Sequence, residues 1–165
     1  MKKEFNGFSL IEMIVSVTII LILTGIGMAN FSNLTKSKDL KTATNEISAW
    51  LTDARNLAIT NQLPDKTLGL KFVKVTVTGS GVTAVGIDSD GNSKIFFNNV
   101  LTNKDGLTIS VTANSSAIDS FGFNSGTGRL LDQSGLFIDG PVNIVLSNGA
   151  STTLVVNDLG TINEK

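Results

Sequence analysis

Few side chains here could do chemistry, and those that stand out lie in the first dozen residues. Met1-Lys-Lys-Glu-Phe-Asn-Gly7 is a short charged leader ending in glycine, and Phe8-Ser-Leu-Ile-Glu12 follows it. Glu12 is the last charge before Lys36, because no Asp, Glu, Lys or Arg occurs from Met13 to Thr35. At ~1.5 Å per helical residue that run spans roughly 34 Å, against a hydrocarbon core of about 30 Å. An ionised carboxylate costs about 2.5–3.5 kcal/mol at the centre of a membrane helix and less near the interface. An acid at this position is therefore a functional hypothesis.

Elsewhere the chemical inventory is thin. The chain has no cysteine and no histidine, which removes disulfides, thiolate chemistry and the commonest general base and metal ligand. Asp88-Ser-Asp90-Gly-Asn92 presents oxygen side chains at alternate positions, as calcium loops do. Its glycine falls in the fourth place, not the sixth, and Asn99 stands where a bidentate glutamate belongs, so a solvated hairpin loop is the better expectation. Gly79-Ser-Gly81 and Gly126-Thr-Gly128 are too short to cradle phosphate and lie in no strand-to-helix context. After Asp105 the only cations are Arg129 and Lys165, too few for a nucleic-acid footprint. No catalytic residue, metal or cofactor is expected, and the chain does not read as an enzyme.

Gly7-Phe8-Ser9-Leu10-Ile11-Glu12 resembles the cleavage and methylation signature of type IV prepilins and type II secretion pseudopilins. The resemblance implies cleavage between Gly7 and Phe8 by a prepilin peptidase/methyltransferase, N-methylation of Phe8, and retention of the apolar helix. Cleavage would leave a new ammonium at Phe8, beside the positive end of the helix, where Glu12 one turn in is favourable. In family filaments this glutamate pairs with the terminal amine of a neighbouring subunit; an interfacial carboxylate without a partner is the plainer reading. Implied partners are other pilin or pseudopilin subunits and an inner-membrane assembly platform. The implied location is the cytoplasmic membrane, single-pass with the N-terminus inside, and then a pseudopilus or pilus outside it. Orientation rests on the resemblance alone, because Lys36, Lys38 and Lys41 after the span outnumber Lys2 and Lys3 before it.

The same segment has a rival reading. Gly27-Met28-Ala29 offers small residues to a conventional signal peptidase, which would release a secreted β-rich binding domain starting at Asn30. The apolar run is longer than an h-region of roughly 7–15 residues, and the rival leaves Glu12 unexplained.

These residues need a scaffold, and the periodicities describe an α+β chain. Boundaries are expected at 1–7 for the leader, 8–31 for the transmembrane and assembly helix, 32–62 for an amphipathic helix, and 63–165 for an antiparallel β domain. Leu40, Ala43, Ile47, Trp50 with Leu51, Ala54, and Leu57 with Ala58 form one apolar stripe that should pack on that domain, with Trp50 in the core. Pro64 disfavours helix at Leu63, so the helix should end near Asn61. Gly25 and Ala29 give a small-xxx-small spacing suited to close packing in a membrane, and Gly25 with Gly27 could also let the helix bend or melt.

Beyond Pro64 the period becomes two. Leu68, Leu70 and Phe72, then Val73, Val75 and Val77 on the other parity, predict a strand with a bulge or twist. Further strands are expected around Val85–Ile87, Ile95–Val100, Leu107–Val111, Phe121–Phe123, Val142–Leu146 and Leu154–Val156. Asp139-Gly140 and Asn148-Gly149 read as hairpin turns, and Ser125–Gly135 as an exposed loop. Within the pilin superfamily the chain is most similar to H-type minor pseudopilins (the GspH/FimT family), on Ala54-Arg55-Asn-Leu-Ala58 and Val155-Val-Asn-Asp-Leu-Gly160. It lacks the C-terminal arginines with which some members bind DNA.

Overall fold

The computed structural model describes residues 8–61, 63, 69–102 and 105–165, with residues 27–30 as backbone only. Gly7, Pro64 and Leu68 lie outside the described residues. The chain divides into two compact units, Met1–Lys36 and Ser37–Lys165.

One helix, α1, runs Leu10–Thr60. In the first unit its large apolar side chains are exposed on every side, from Leu10 at 79% to Ile26 at 60%. The hydroxyls in this stretch are satisfied within the helix, Ser16, Thr18 and Thr24 donating to the carbonyls of Glu12, Ile14 and Ile20. Back-bonding of this kind removes the cost of carrying a hydroxyl into an apolar medium. The helix stops because Asn61 turns left-handed (φ 54°), a conformation Asn tolerates at a helix end. The Asn61 side chain then accepts a hydrogen bond from Ser125 Oγ at 2.7 Å.

In the second unit the stripe is realised as a buried face. Leu40, Ala43, Ile47, Leu51, Ala54 and Ala58 are all buried, and Ile47, Leu51, Ala54 and Ala58 have no exposed area at all. Thr44 joins them, its hydroxyl donating to Leu40 O at 2.8 Å. Trp50 departs from the expectation: it is half-buried and packs against the edge of the core. It sits one residue before Leu51, about 100° round the helix, at the flank of the stripe.

Two five-stranded antiparallel sheets complete the α+β fold. The first has the order β3-β2-β1-β6-β7, made of Ser93–Val100, Gly81–Asp88, Leu70–Thr78, Ser120–Asn124 and Leu130–Leu131. The second has the order β10-β9-β8-β4-β5, made of Ile162–Glu164, Ser151–Val156, Val142–Ser147, Thr108–Ala113 and Ser116–Ala117. The parity switch in β1 is a true irregularity: the register with β2 shifts between Leu70 and Phe72, so Phe72 and Val73 are both buried. The core joins Ile47 and Leu51 to Val73, Val75, Val82, Phe121, Phe123, Ile144, Leu146 and Leu154. Phe121 and Phe123 meet edge-to-face, with centroids 5.8 Å apart.

Asn148-Gly149 does connect β8 to β9. Asp139-Gly140 does not make a hairpin. It lies in the connection that carries the chain from the first sheet to the second, ahead of β8. Nor is Ser125–Gly135 simply an exposed loop, because Leu130 and Leu131 are buried and pair with Phe123 and Gly122 as β7. An apolar pair in a glycine- and serine-rich stretch is too short to show a period. Strands β5 and β10 escaped notice for the same reason.

The C-terminal turn is tied to the helix and to the first sheet. Arg55 donates from a terminal guanidinium nitrogen to Leu159 O at 3.4 Å, and Leu130 N donates to Asp158 O at 3.1 Å. Gly160 (φ 78°) is required here, because a Cβ would collide with Gly128 O and lie within 2.9 Å of Arg55 Nε.

Candidate processing and assembly site

The N-terminal site is built on the first turn of α1. Ser9 is the N-cap, with its carbonyl accepting from Met13 N at 3.2 Å. Glu12 N donates to Ser9 Oγ at 3.3 Å, and Ser9 N donates back to Glu12 Oε2 at 3.4 Å. This reciprocal pair is a capping box, Ser-x-x-Glu, and it satisfies two donors that a helix start otherwise leaves open. Sequence reasoning attended to the charge of Glu12 and overlooked this signal, although the spacing Ser9-Leu-Ile-Glu12 carries it. In the isolated chain, then, the carboxylate has a partner of its own at the helix end.

Phe8 precedes the cap and is 80% exposed. The structure therefore brings Phe8, Ser9 and Glu12 together over one turn; Gly7 lies outside the described residues. Leu10, Met13, Ile14, Val17 and Thr18 then line a shallow apolar groove of about 440 Å³. Their spacing of three, four, seven and eight residues puts them on one stripe, the pattern by which one helix receives the side chains of another. The most hydrophobic eighteen-residue window of α1 has mean hydropathy 2.3 and none of it is buried, so length and composition suffice to cross a membrane.

The Asp88 loop spends its carboxylate on itself. Asp88 Oδ1 accepts from Asp90 N at 2.9 Å and Asn92 N at 2.8 Å, and Oδ2 accepts from Asn92 Nδ2 at 3.0 Å. The Asn92 side-chain bond, helped by backbone donors, holds the carboxyl below its ordinary value, because each donor favours the charged form. Among the described residues no group of three or more His, Cys, Asp or Glu is placed to hold a metal. Arg129, one of the two late cations, lies over the Phe137 ring at 4.7 Å.

An α+β chain whose bare apolar helix begins in a leader-adjacent capping box fits a membrane-anchored subunit that is processed at its N-terminus. Residues 2–28 match the family model described as the prokaryotic N-terminal methylation motif, which includes Gly7, Phe8 and Glu12. That motif marks a prepilin-type pilin or pseudopilin substrate, processed by a prepilin peptidase and associating with other pilins. No curated protein and no solved structure matches the chain.

Proposed function

We propose that this protein is a structural subunit, cleaved between Gly7 and Phe8 and N-methylated at Phe8, that assembles into a type II secretion pseudopilus or type IV pilus as a minor component. It catalyses no reaction. The observation that carries the reading is the apolar surface from Leu10 to Ile26, exposed all round within the matched methylation motif. Burying one Leu, Ile, Val or Met side chain stabilises by roughly 1.5–3 kcal/mol, so a helix with twelve such side chains bare between Leu10 and Ile26 demands lipid first and neighbouring helices afterwards. The precursor is held in the membrane with its N-terminus inside. After cleavage the helix packs among neighbouring helices, and Glu12 exchanges its capping partner for the Phe8 ammonium of the next subunit. The exchange replaces a 3.4 Å hydrogen bond from a neutral backbone N–H with an ion pair and leaves neither ion unpaired.

The H-type minor pseudopilin reading is a proposal that rests on two segments of sequence. Ala54-Arg55 and the Asp158-Leu-Gly160 turn, which carry that resemblance, are joined by the Arg55 to Leu159 hydrogen bond across 104 residues.

Intact mass and N-terminal sequencing of the native protein test the proposal. A mature chain beginning at N-methylated Phe8 and fractionating with membranes or sheared filaments is expected. A soluble mature chain beginning at Asn30 would overturn it in favour of a secreted binding domain.

A further inference from the structure

The strands at the four sheet margins are unequal. β5, β7 and β10 close their margins with two, two and three residues, and edges so short offer another chain little to pair with. β3 closes its margin with eight, Ser93-Lys-Ile-Phe-Phe-Asn-Asn-Val100. It has no proline and one charge, Lys94, and among the described residues it pairs only with β2. The register with β2 shifts once, between Ala84 and Val85, and residues 97–100 pair regularly beyond that point. Every second residue of such a strand directs its N–H and C=O away from the sheet, so this margin is an open template for a further strand.

A groove lies beside that edge, within the Ser37–Lys165 unit. Asp53, Asn56, Leu57 and Thr60 of α1 and Phe97 of β3 line it, and it encloses about 360 Å³. Leu57 and Phe97 are half-buried against the core and leave part of each side chain to the groove. Thr102, just past β3, fixes the chain along the helix: its N and Oγ1 donate to Glu46 Oε2 and Oε1 at 3.2 and 2.5 Å. Glu46 is spent on that contact. Asp53, seven residues further along the same helix, is exposed, and among the described residues nothing pairs with it.

We propose that the free edge of β3 and this groove together bind an extended segment of another protein, which adds a strand beside β3 and seats a lysine or arginine in the groove. In this mode main-chain hydrogen bonds give affinity, and pockets for alternate side chains give specificity. A strand added about 4.8 Å from β3 carries every second side chain on the Phe97 face. A long cationic side chain suits the groove at both ends: its methylene stem covers Leu57 and Phe97, and its head reaches Asp53. A second copy of this chain suits it less, because its β3 has only Lys94 to offer and Lys94 already has an interaction of its own.

The full chain in detergent solution is titrated with fluorescein-labelled, end-blocked octapeptides of alternating threonine and valine. One central position carries lysine, leucine or glutamate, and anisotropy reports binding. The lysine peptide should bind with Kd below about 1 mM, roughly two- to fivefold tighter than the leucine peptide, and the glutamate peptide should be weakest. Two further lysine peptides are N-methylated at alternate residues. Methyl groups on the edge that meets β3 remove its donors and should cost at least about tenfold, while those on the other edge should cost little. Asp53→Asn, an exposed substitution, should bring the lysine peptide down to parity with the leucine peptide. Absence of binding by all three unmethylated peptides overturns the proposal. Equal affinity of the two methylated peptides overturns strand addition, and a lysine preference undiminished in Asp53→Asn overturns the cation in the groove. Peptide affinity that falls as the chain is concentrated assigns the edge to a second copy, which overturns the proposal as well.

Discussion

Residues 10–26 and 40–58 are parts of one helix, yet they treat their apolar side chains in opposite ways. In the first stretch Leu, Ile, Val and Met stand exposed on all sides, Leu21 at 67% and Ile22 at 58%, for example. In the second, six apolar side chains line one face and none exceeds 6% exposure, while Lys41, Thr52 and Asp53 face water. The difference lies in the partner each stretch was built for. The upper stretch finds its partner within the chain, so polar residues could be kept on the far side. The lower stretch has none among the described residues, and an apolar circumference suits only lipid or other helices.

The largest effect expected is at Gly7. Gly7→Leu crowds the cleavage position and should abolish processing, leaving a membrane-bound precursor beginning at Met1, as read by intact mass. Normal processing of that variant would move the boundary of the exposed stretch and break the comparison at its origin. Glu12→Val should come next: cleavage largely retained, but at least a tenfold loss of subunit from sheared filaments. Wild-type recovery would mean that the lower helix assembles through apolar contact alone; a smaller loss is expected at a filament tip, where no amine lies above Glu12.

A matched pair tests the two stretches directly. Leu51→Ala should destabilise the protein by about 2–5 kcal/mol, since Leu51 is fully buried. Leu21→Ala should leave the unfolding transition of the β-containing unit unchanged and show its effect only in filaments. A fragment beginning at Asn30 should stay folded and soluble, with Trp50 fluorescence between that of core and free tryptophan, because the ring is half-buried. Equal destabilisation by both substitutions would erase the distinction.

The smallest effect is at the Asp88 turn, which neither stretch touches. The carboxyl is held below its ordinary value of 3.8 by Asn92 and backbone donors, so its folded form ionises more readily than its unfolded form. Its contribution is complete above the unfolded value and is lost as the pH falls through the folded one. Asp88→Asn should therefore lower stability slightly at neutral pH and converge with the wild type in acid, so that its stability falls less as the pH drops below about 4, as measured by thermal unfolding.

Much of this was legible because it depends on local spacing. The apolar run, the stripe from Leu40 to Ala58 and the Asn148-Gly149 hairpin each repeat a period over enough residues to be seen, and Ser9-Leu-Ile-Glu12 carried a capping box that could have been seen. Trp50 was placed too deep because a stripe shows which face is inward and not how far its flank is covered. The composition of Asp139-Gly140 suits a hairpin, whereas the chain there leaves one sheet for the other.

By itself, then, the sequence determined the charge-free helix with its acid one turn in, the amphipathic continuation and an antiparallel β unit. Side-chain chemistry and a period of 3.6 or 2 act between near neighbours, and those are written in order along the chain. Only the tertiary structure decided that Leu130 and Leu131 close the first sheet, that Ile162–Glu164 adds to the second, and that Arg55 reaches Leu159 beside Gly160. Arg55 and Leu159 lie 104 residues apart, and the two strands are too short to show a period, so each pairing is selected by which strand edge or carbonyl remains unpaired once the rest has packed.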